Sequence, residues 1–305
     1  MPAVPVTSAN LAQRAALASV AVASVLLVAK LVAVSHTGST AMLGSLADTG
    51  LDLIASLVTL LGVRVAATPA DHNHRFGHGK AEALASLFQV ALIAVAAAAI
   101  GWRALHQFSG GGAVAGADYG IGVSVVALVL SFALIAYQRR VIAQTGSMAI
   151  GTDSLHYQSD LILNLSVIAA LALEQYAGIR GADPFFGLAI ALWLAWGAWT
   201  SANRAIDQLM DHEWPAAERQ HFLKIAAQHP ELKGIHDLRT RSSGAQRFVQ
   251  FHVWVDPDMT VAEAHRVMDE VEARLEKEFP GVEILIHPDP EGHVDPLAAS
   301  SAIPA

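Results

Sequence analysis

The sequence contains no cysteine, so it can form neither a disulfide framework nor a thiolate metal site. Any bound metal ion would therefore need histidine and carboxylate ligands. Charged residues are also scarce: they make up 15% of the 305 residues, whereas 53% are hydrophobic and the mean hydropathy is +0.42. This balance is too apolar for an ordinary soluble domain and predicts a membrane protein. No Walker A sequence is present, which argues against direct use of ATP.

Long apolar stretches in the first two thirds of the chain predict membrane spans. A bilayer core about 30 Å thick needs about 20 apolar residues per helix. Six stretches qualify, at 11–35, 39–67, 81–106, 119–137, 147–176 and 184–204. If the N-terminus is cytoplasmic, the inner segments hold Arg14, Arg64, Arg75, Lys80, Arg139, Arg140 and Arg204, and the outer segments hold only Arg103 and Arg180. This bias predicts that both termini are cytoplasmic, while Lys30 in the first span has no assigned role.

The composition changes after Met210, where charges and histidines become frequent. Eight of the 14 histidines lie beyond this point. The pattern predicts a helix at 216–228, strands at 234–241 and 247–255, a helix at 261–279 and a strand at 282–287. Phe248, Gln250, His252 and Trp254 alternate along the second strand, which is typical of a half-buried strand. We therefore predict a six-helix transmembrane domain over 1–210, a small cytoplasmic α+β (αββαβ) domain over 211–291 and a disordered tail over 292–305.

Two pairs of ionisable residues lie inside predicted spans at a spacing of four. Asp48 and Asp52 are in the second span, and His156 and Asp160 are in the fifth. Residues four apart share a helix face, so each pair can contact one ion. Three carboxylates and one imidazole suit tetrahedral binding of Zn²⁺ or a similar divalent ion.

A structural interpretation of these residues is the alternative. A single aspartate or histidine in a membrane helix can snorkel or bond to a neighbouring backbone, although such groups are usually functional. Two matching pairs favour a metal site. Ser159 and Asn164 are better explained as interhelical hydrogen-bonding groups than as ligands.

Several motifs together resemble those of the cation diffusion facilitator (cation efflux) family. They are the Asp-xxx-Asp of the second span, HYQSD in the fifth, the inner-loop run DHNHRFGHGKAEALAS, and HDLRTR and ILIHPDP near the C-terminus. The resemblance extends from about residue 11 to 290, and its nearest type is the bacterial zinc and ferrous-iron efflux transporter. It implies a homodimer in the bacterial inner membrane with a metallochaperone-like cytoplasmic domain, exporting divalent metal in exchange for protons.

The resemblance also implies three metal sites. The transport site corresponds to Asp48, Asp52, His156 and Asp160, and an inner-loop site to Asp71, His74 and His78, where His72 could compete as a ligand. A cytoplasmic binuclear site corresponds to His236, His252, His265, His287 and Asp289. His212, His221, His229 and His293 match no family position and are predicted to be solvated surface residues.

Two further positions correspond to family features. Lys80 and Asp211 match an ion pair near the dimer interface. Leu155 matches a hydrophobic gate, although leucine at this place is also compatible with ordinary packing.

The charges of the three carboxylates in the predicted transport site suggest how metal and protons would exchange there. Three ionised carboxylates in a low-dielectric bundle repel one another, so the empty site should hold protons that the metal displaces. Rival interpretations are an intramembrane metalloenzyme, a membrane-anchored metal sensor and a uniporter without proton coupling. The sequence has no H-E-x-x-H motif, and we expect no enzymatic activity. The ligand types leave Zn²⁺, Cd²⁺, Fe²⁺, Co²⁺ and Ni²⁺ open.

Overall fold

The computed structural model describes residues 6–37, 40–108, 121–177, 182–232 and 234–292. Within these residues the chain divides into two compact units, with the boundary between Ile206 and Asp207. The first unit is helical, and the second combines helices with a three-stranded sheet. This confirms the predicted fold class.

The helical unit is built from six long helices. They are α1 (Val6–Thr37), α2 (Thr40–Ala66), α3 (Ala81–Phe108), α4 (Ile121–Thr145), α5 (Met148–Ala177) and α6 (Ala182–Leu209). Within the described residues, five of them are long and apolar enough to cross a membrane, and α5 is the exception. α5 has 30 residues, but Asp153, His156 and Asp160 make its first half polar.

Small residues allow these helices to approach closely, as is common in membrane bundles. A Cβ atom at Gly62 of α2 would lie 2.4 Å from the Cβ of Ala85 on α3. Many large apolar side chains, such as Val28, Val95 and Phe132, are exposed on the unit's outer surface. An apolar exterior of this kind suits contact with lipid rather than water.

The second unit follows the predicted αββαβ order. Its elements are α7 (Ala216–Ala226), β1 (Gly234–Ser243), β2 (Gln246–Val255), α8 (Val261–Glu278) and β3 (Val282–Pro290). The strands lie in the order β1-β2-β3, with β1 antiparallel and β3 parallel to β2. A capping box starts α8: the Thr260 hydroxyl accepts from the Glu263 amide, and the Glu263 carboxylate accepts from the Thr260 amide.

The sheet has one buried face and one polar face. Val249, Phe251 and Val253 of β2 point into a core shared with Phe222 of α7 and Leu275 of α8. Side chains alternate along a strand, so Gln250, His252 and Trp254 lie on the face turned away from this core. The predicted alternation is therefore present in β2.

Candidate metal centres

Three of the four predicted transport-site residues converge between α2 and α5. His156 Nε2 lies 2.9 Å from Asp52 Oδ1 and 4.0 Å from Asp160 Oδ2. One potential ligand atom from each residue falls within 4.8 Å of the others. All three side chains are partly buried. A divalent cation could bind all three groups with little movement of the side chains.

Asp48 is not part of this group, although it lies among the described residues. It occupies the preceding turn of α2 and is exposed. Lys30 of α1 contacts the same turn, because its Nζ donates to Thr49 Oγ1 at 2.6 Å and to the Ser45 carbonyl at 3.1 Å. Asp48 therefore remains a predicted ligand that would need to move toward the other three.

Neighbouring polar residues on α5 do not all behave as predicted. Ser159 Oγ donates to the His156 carbonyl at 2.5 Å, and Asn164 Nδ2 donates to the Asp160 carbonyl at 2.7 Å. Both bonds lie within α5, so the prediction that these residues bond between helices is wrong. In a helix, short polar side chains readily reach the carbonyl three or four residues earlier.

Leu155, next to His156, is packed against α6. It belongs to an apolar cluster with Val90 and Ile93 of α3 and Leu194 of α6. A Cβ atom at Gly197 of α6 would lie only 2.9 Å from Leu155 Cδ2. This close packing favours the structural interpretation of the leucine.

Asp153, which was not predicted as a functional residue, is fully buried one turn before His156. Ser19 of α1, Gln89 of α3 and Gln138 of α4 all donate hydrogen bonds to its carboxylate. Beside it, the Tyr157 hydroxyl donates to the Ser19 carbonyl at 3.1 Å. The spacing of three residues between Asp153 and His156 was the available signal, since it puts Asp153 near the ligand face.

The predicted loop site is assembled in the connection between α2 and α3. Asp71 Oδ1 lies 3.2 Å from His74 Nδ1, and Asp71 Oδ2 lies 3.5 Å from His78 Nε2. The backbone amides of His74 and Asn73 donate to Asp71 Oδ1 at 2.6 and 2.8 Å. The bond from the His74 amide is the main reason that the pKa of Asp71 lies below its ordinary value. An ionised carboxylate beside two imidazoles suits a divalent cation.

The cytoplasmic cluster lies on the polar face of the sheet. His236 of β1 pairs with His252 of β2, which pairs with His287 of β3, so the three imidazoles stand side by side. Asp289 joins them: its Oδ2 lies 2.8 Å from His252 Nδ1 and 3.2 Å from His236 Nε2, and its Oδ1 lies 3.2 Å from His287 Nε2. One carboxylate therefore bridges three imidazoles.

The electrostatics of this cluster suit a cation. Burial acts to raise the pKa of Asp289, but the hydrogen bond with His252 and the charges of the imidazoles outweigh it, so the pKa is lowered. Both ring nitrogens of His236 are buried: Nδ1 has no hydrogen-bond partner among the residues that the structure describes, and Nε2 has only the 3.2 Å contact with Asp289 Oδ2, which lacks hydrogen-bond geometry. Buried polar atoms normally have partners, so a metal ion on His236 would supply a missing one.

Asp237 is a further acidic group that the sequence analysis missed. Neighbouring residues in a strand usually face opposite sides of the sheet, so the position of Asp237 next to His236 predicts that it faces away from the cluster. Here the β1–β2 register shifts after His236, and Asp237 adopts a positive φ of 47°. Its Oδ2 consequently lies 3.7 Å from His252 Nε2.

His265 does not join the cluster within the described part of the chain. It lies on α8 with a largely exposed side chain and contacts Asp269, with Nδ1 and Oδ1 3.1 Å apart. α8 packs against the opposite face of the sheet through Val267, Val271 and Leu275. The sheet therefore separates His265 from His252, a relationship that the sequence pattern does not reveal.

The remaining histidines fulfil the surface prediction only in part. His212 and His221 are exposed, whereas His293 lies outside the described residues. His229 is buried, with its Nε2 3.2 Å from Glu270 Oε2, so the prediction that it is solvated is wrong. His229 is buried because of a tertiary contact, in which Glu270 of α8 lies against the turn that contains His229.

Comparisons with known proteins identify two family domains in the chain. The family model described as the cation efflux transmembrane domain matches residues 16–210, and that described as the cation efflux protein cytoplasmic domain matches residues 214–291. The cation-efflux pump FieF of Serratia proteamaculans is 42% identical over 282 residues, covering 92% of this chain and 94% of the relative.

Two further matches are to a relative and to a solved structure. FieF of Salmonella paratyphi A is 40% identical over 284 residues, covering 93% of this chain and 94% of the relative. A solved structure of the putative zinc transporter CzrB in its zinc form covers 28% of this chain and 98% of its own, at 36% identity and a TM-score of 0.27. By its two family domains and its full-length relatives, this chain belongs to the cation efflux family.

Proposed function

We propose that this protein exports Zn²⁺, and also Cd²⁺ and Fe²⁺, from the cytoplasm in exchange for protons. The observation that supports this most is the meeting of Asp52, His156 and Asp160 between two membrane helices. Two carboxylates and an imidazole, joined by Asp48 as a fourth ligand, form a set that binds zinc-like ions. An imidazole ligand disfavours Mg²⁺ and Ca²⁺, and the absence of thiolates disfavours Cu⁺.

Proton exchange follows from the charges at this site. His156 must be neutral to bind metal, so a protonated ring would have to lose its proton when the ion binds. Metal entry would release that proton, and proton return would expel the metal. Moving a 2+ ion against an inside-negative potential costs about 4.6 kcal/mol per 100 mV, and each proton that enters returns about 2.3 kcal/mol. Antiport therefore makes export feasible without ATP.

The other two sites have supporting roles in this proposal. The loop site of Asp71, His74 and His78 would hold metal beside the membrane unit. The cytoplasmic cluster of His236, His252, His287 and Asp289 would bind regulatory Zn²⁺ and stabilise a homodimer. We place the protein in a bacterial inner membrane with both termini in the cytoplasm, as the distribution of Arg and Lys indicates.

Metal flux in proteoliposomes tests transport directly. Asp52→Ala and Asp160→Ala should each abolish Zn²⁺ flux while the protein remains folded, because each removes a ligand from a group of three. Asp258→Ala, at an exposed turn of the cytoplasmic unit, is the matched control and should transport normally. Near-normal flux in either membrane variant would exclude the assigned site. Zinc binding without flux in the unaltered protein would instead favour a metal sensor.

A pH gradient tests the exchange with protons. At a fixed metal gradient, a pH difference of about two units should change both the rate and the final accumulation of Zn²⁺. The protein should also release protons when it binds metal, and His156→Ala should release fewer per ion. If the rate and the final accumulation of Zn²⁺ are the same with and without the pH gradient, the protein is a uniporter.

A further inference from the structure

Asp153 is a buried carboxyl group outside the metal ligands. It is 0% exposed, in the bundle formed by α1, α3, α4 and α5. Ser19 Oγ and Gln138 Nε2 contact its Oδ2 at 2.6 and 2.7 Å, and Gln89 Nε2 contacts its Oδ1 at 2.9 Å. Among the described residues Asp153 forms no ion pair. Its three hydrogen-bond donors are all neutral groups, and a buried carboxylate without an ion-pair partner is costly to keep ionised.

The Ser19 hydroxyl can serve either protonation state of Asp153. Its single hydrogen has two acceptors in reach, Asp153 Oδ2 at 2.6 Å and the Ala15 carbonyl at 3.2 Å. When Asp153 is ionised, the hydroxyl donates to the carboxylate. When Asp153 is neutral, the carboxylic acid donates to Ser19 Oγ and the hydroxyl turns to Ala15. The oxygen has two lone pairs, so it can also keep the bond from Gln138 at 3.0 Å.

Gln89 and Gln138 can also provide hydrogen bonds to either protonation state of Asp153. Both donate through Nε2, which favours ionised Asp153, and both leave a buried Oε1 without a partner in the described structure. Rotating either amide by half a turn would present that oxygen to a neutral carboxylic acid as an acceptor. A proton can thus be added or removed while the carboxyl group keeps hydrogen-bond partners.

No charged side chain among the described residues contacts Asp153 and neutralises its carboxylate as a proton would. The titratable residues near Asp153 and its partners are Arg14 on α1, Glu82 on α3, Tyr137 and Arg139 on α4, and His156 and Tyr157 on α5, with Asp52 and Arg64 on the neighbouring α2. In the part of the chain that the structure describes, none of them contacts the Asp153 side chain. Glu82 accepts from Ser147, Arg139 donates to Gln158, and His156 contacts Asp52. His156 and Tyr157, each about one turn away on α5, interact with Asp153 through charge without contacting its carboxylate.

We propose that Asp153 binds and releases a proton within the membrane unit, at a site separate from the metal ligands. In the forward step a hydronium ion loses one proton and becomes water, and an O–H bond forms on the Asp153 carboxylate. In the reverse step that O–H bond breaks and the proton returns to water. Hydrogen bonds to a charged group are roughly twice as strong as neutral ones, so ionisation would tighten the attachment of α5 to α1, α3 and α4. This site goes beyond the proposed transport function, since it would exist whether or not metal is exchanged for protons.

Infrared spectroscopy of the full-length, metal-free protein in lipid nanodiscs tests the proposal. Spectra recorded from about pH 4 to 9 are compared between the unaltered protein and Asp153→Asn, which keeps the side-chain size. The difference should show a protonated carboxyl band at low pH that is replaced by a carboxylate band as the pH rises. A carboxylate signal at every pH, or an acid signal at every pH, would overturn the proposal.

A second variant keeps the carboxyl group and changes only its surroundings. Gln138→Met removes an N–H donor that favours the ionised form, so the acid band should persist to higher pH. Gln228→Met, at an exposed position in the cytoplasmic unit, is the control and should leave the titration unchanged. If Gln138→Met titrates like the unaltered protein, the buried carboxyl does not exchange the proton. This comparison decides the question even where Asp153→Asn does not fold.

Discussion

Replacing Asp289 by asparagine should disable the cytoplasmic metal centre. The two carboxylate oxygens reach three imidazole nitrogens at 2.8, 3.2 and 3.2 Å, which makes Asp289 the shared member of the cluster. Asparagine keeps one acceptor oxygen, removes the charge and turns a donor toward an imidazole. Changes to groups that only orient a metal ligand cost about 10–100-fold in affinity. Loss of the ligand itself should therefore raise the Kd for Zn²⁺ by at least about 100-fold, or about 2.7 kcal/mol.

Competition with a chromophoric zinc chelator measures this change in the full-length protein. The measurements use a background protein that carries Asp52→Ala and Asp71→Ala, which removes the membrane and loop sites. The zinc binding that remains is then that of the cytoplasmic centre. Asp258→Asn is the matched control and should bind zinc normally. Binding in the background protein should weaken as the pH falls, because imidazoles must be neutral to ligate. An unchanged Kd in Asp289→Asn would refute the assignment of the centre.

Two helix contacts predict the response of the membrane unit to added methyl groups. Gly62→Ala should lower stability by at least about 1–3 kcal/mol because its Cβ would lie 2.4 Å from that of Ala85, whereas Gly50→Ala meets nothing within 4 Å and should not destabilise. Thermal unfolding in detergent compares the two, and equal midpoints would contradict the close approach of α2 and α3. Gly197→Ala should displace Leu155, because the added Cβ would lie 2.9 Å from Leu155 Cδ2. Since Leu155 precedes His156 on α5, this displacement should weaken zinc binding. Leu155→Ala in the same chain should restore binding, and a failure to rescue would show that the clash is not the cause.

Local patterns were sufficient to predict the elements of both units. Hydropathy located the long helices because a membrane span must be apolar over about 20 residues. Alternation along β2 predicted a half-buried strand without deciding which face is buried, and β3 runs three residues beyond its predicted end, to Pro290. Spacing alone also paired His156 with Asp160, since residues four apart in a helix are neighbours. These features depend only on residues close together in the chain.

Sites formed between distant segments were predicted less completely. The motifs indicated His236, His252, His287 and Asp289, and the register of three strands brings them together. The same fold leaves His265 on the far side of the sheet, within a single chain, and buries His229 under α8. A positive φ turns Asp237 toward His252, although its place beside His236 indicated the opposite face.

The sequence by itself determined that the protein lies in a membrane and that any metal it binds is held by imidazole and carboxylate groups. These properties follow from composition and periodicity, which fold cannot change. Only the tertiary structure decided which ligands meet, that Asp48 is not among the three residues that converge, and that Asp153 receives hydrogen bonds from three other helices. Contacts of this kind depend on how helices pack, and packing joins residues as far apart as Ser19 and Asp153 that share no local pattern.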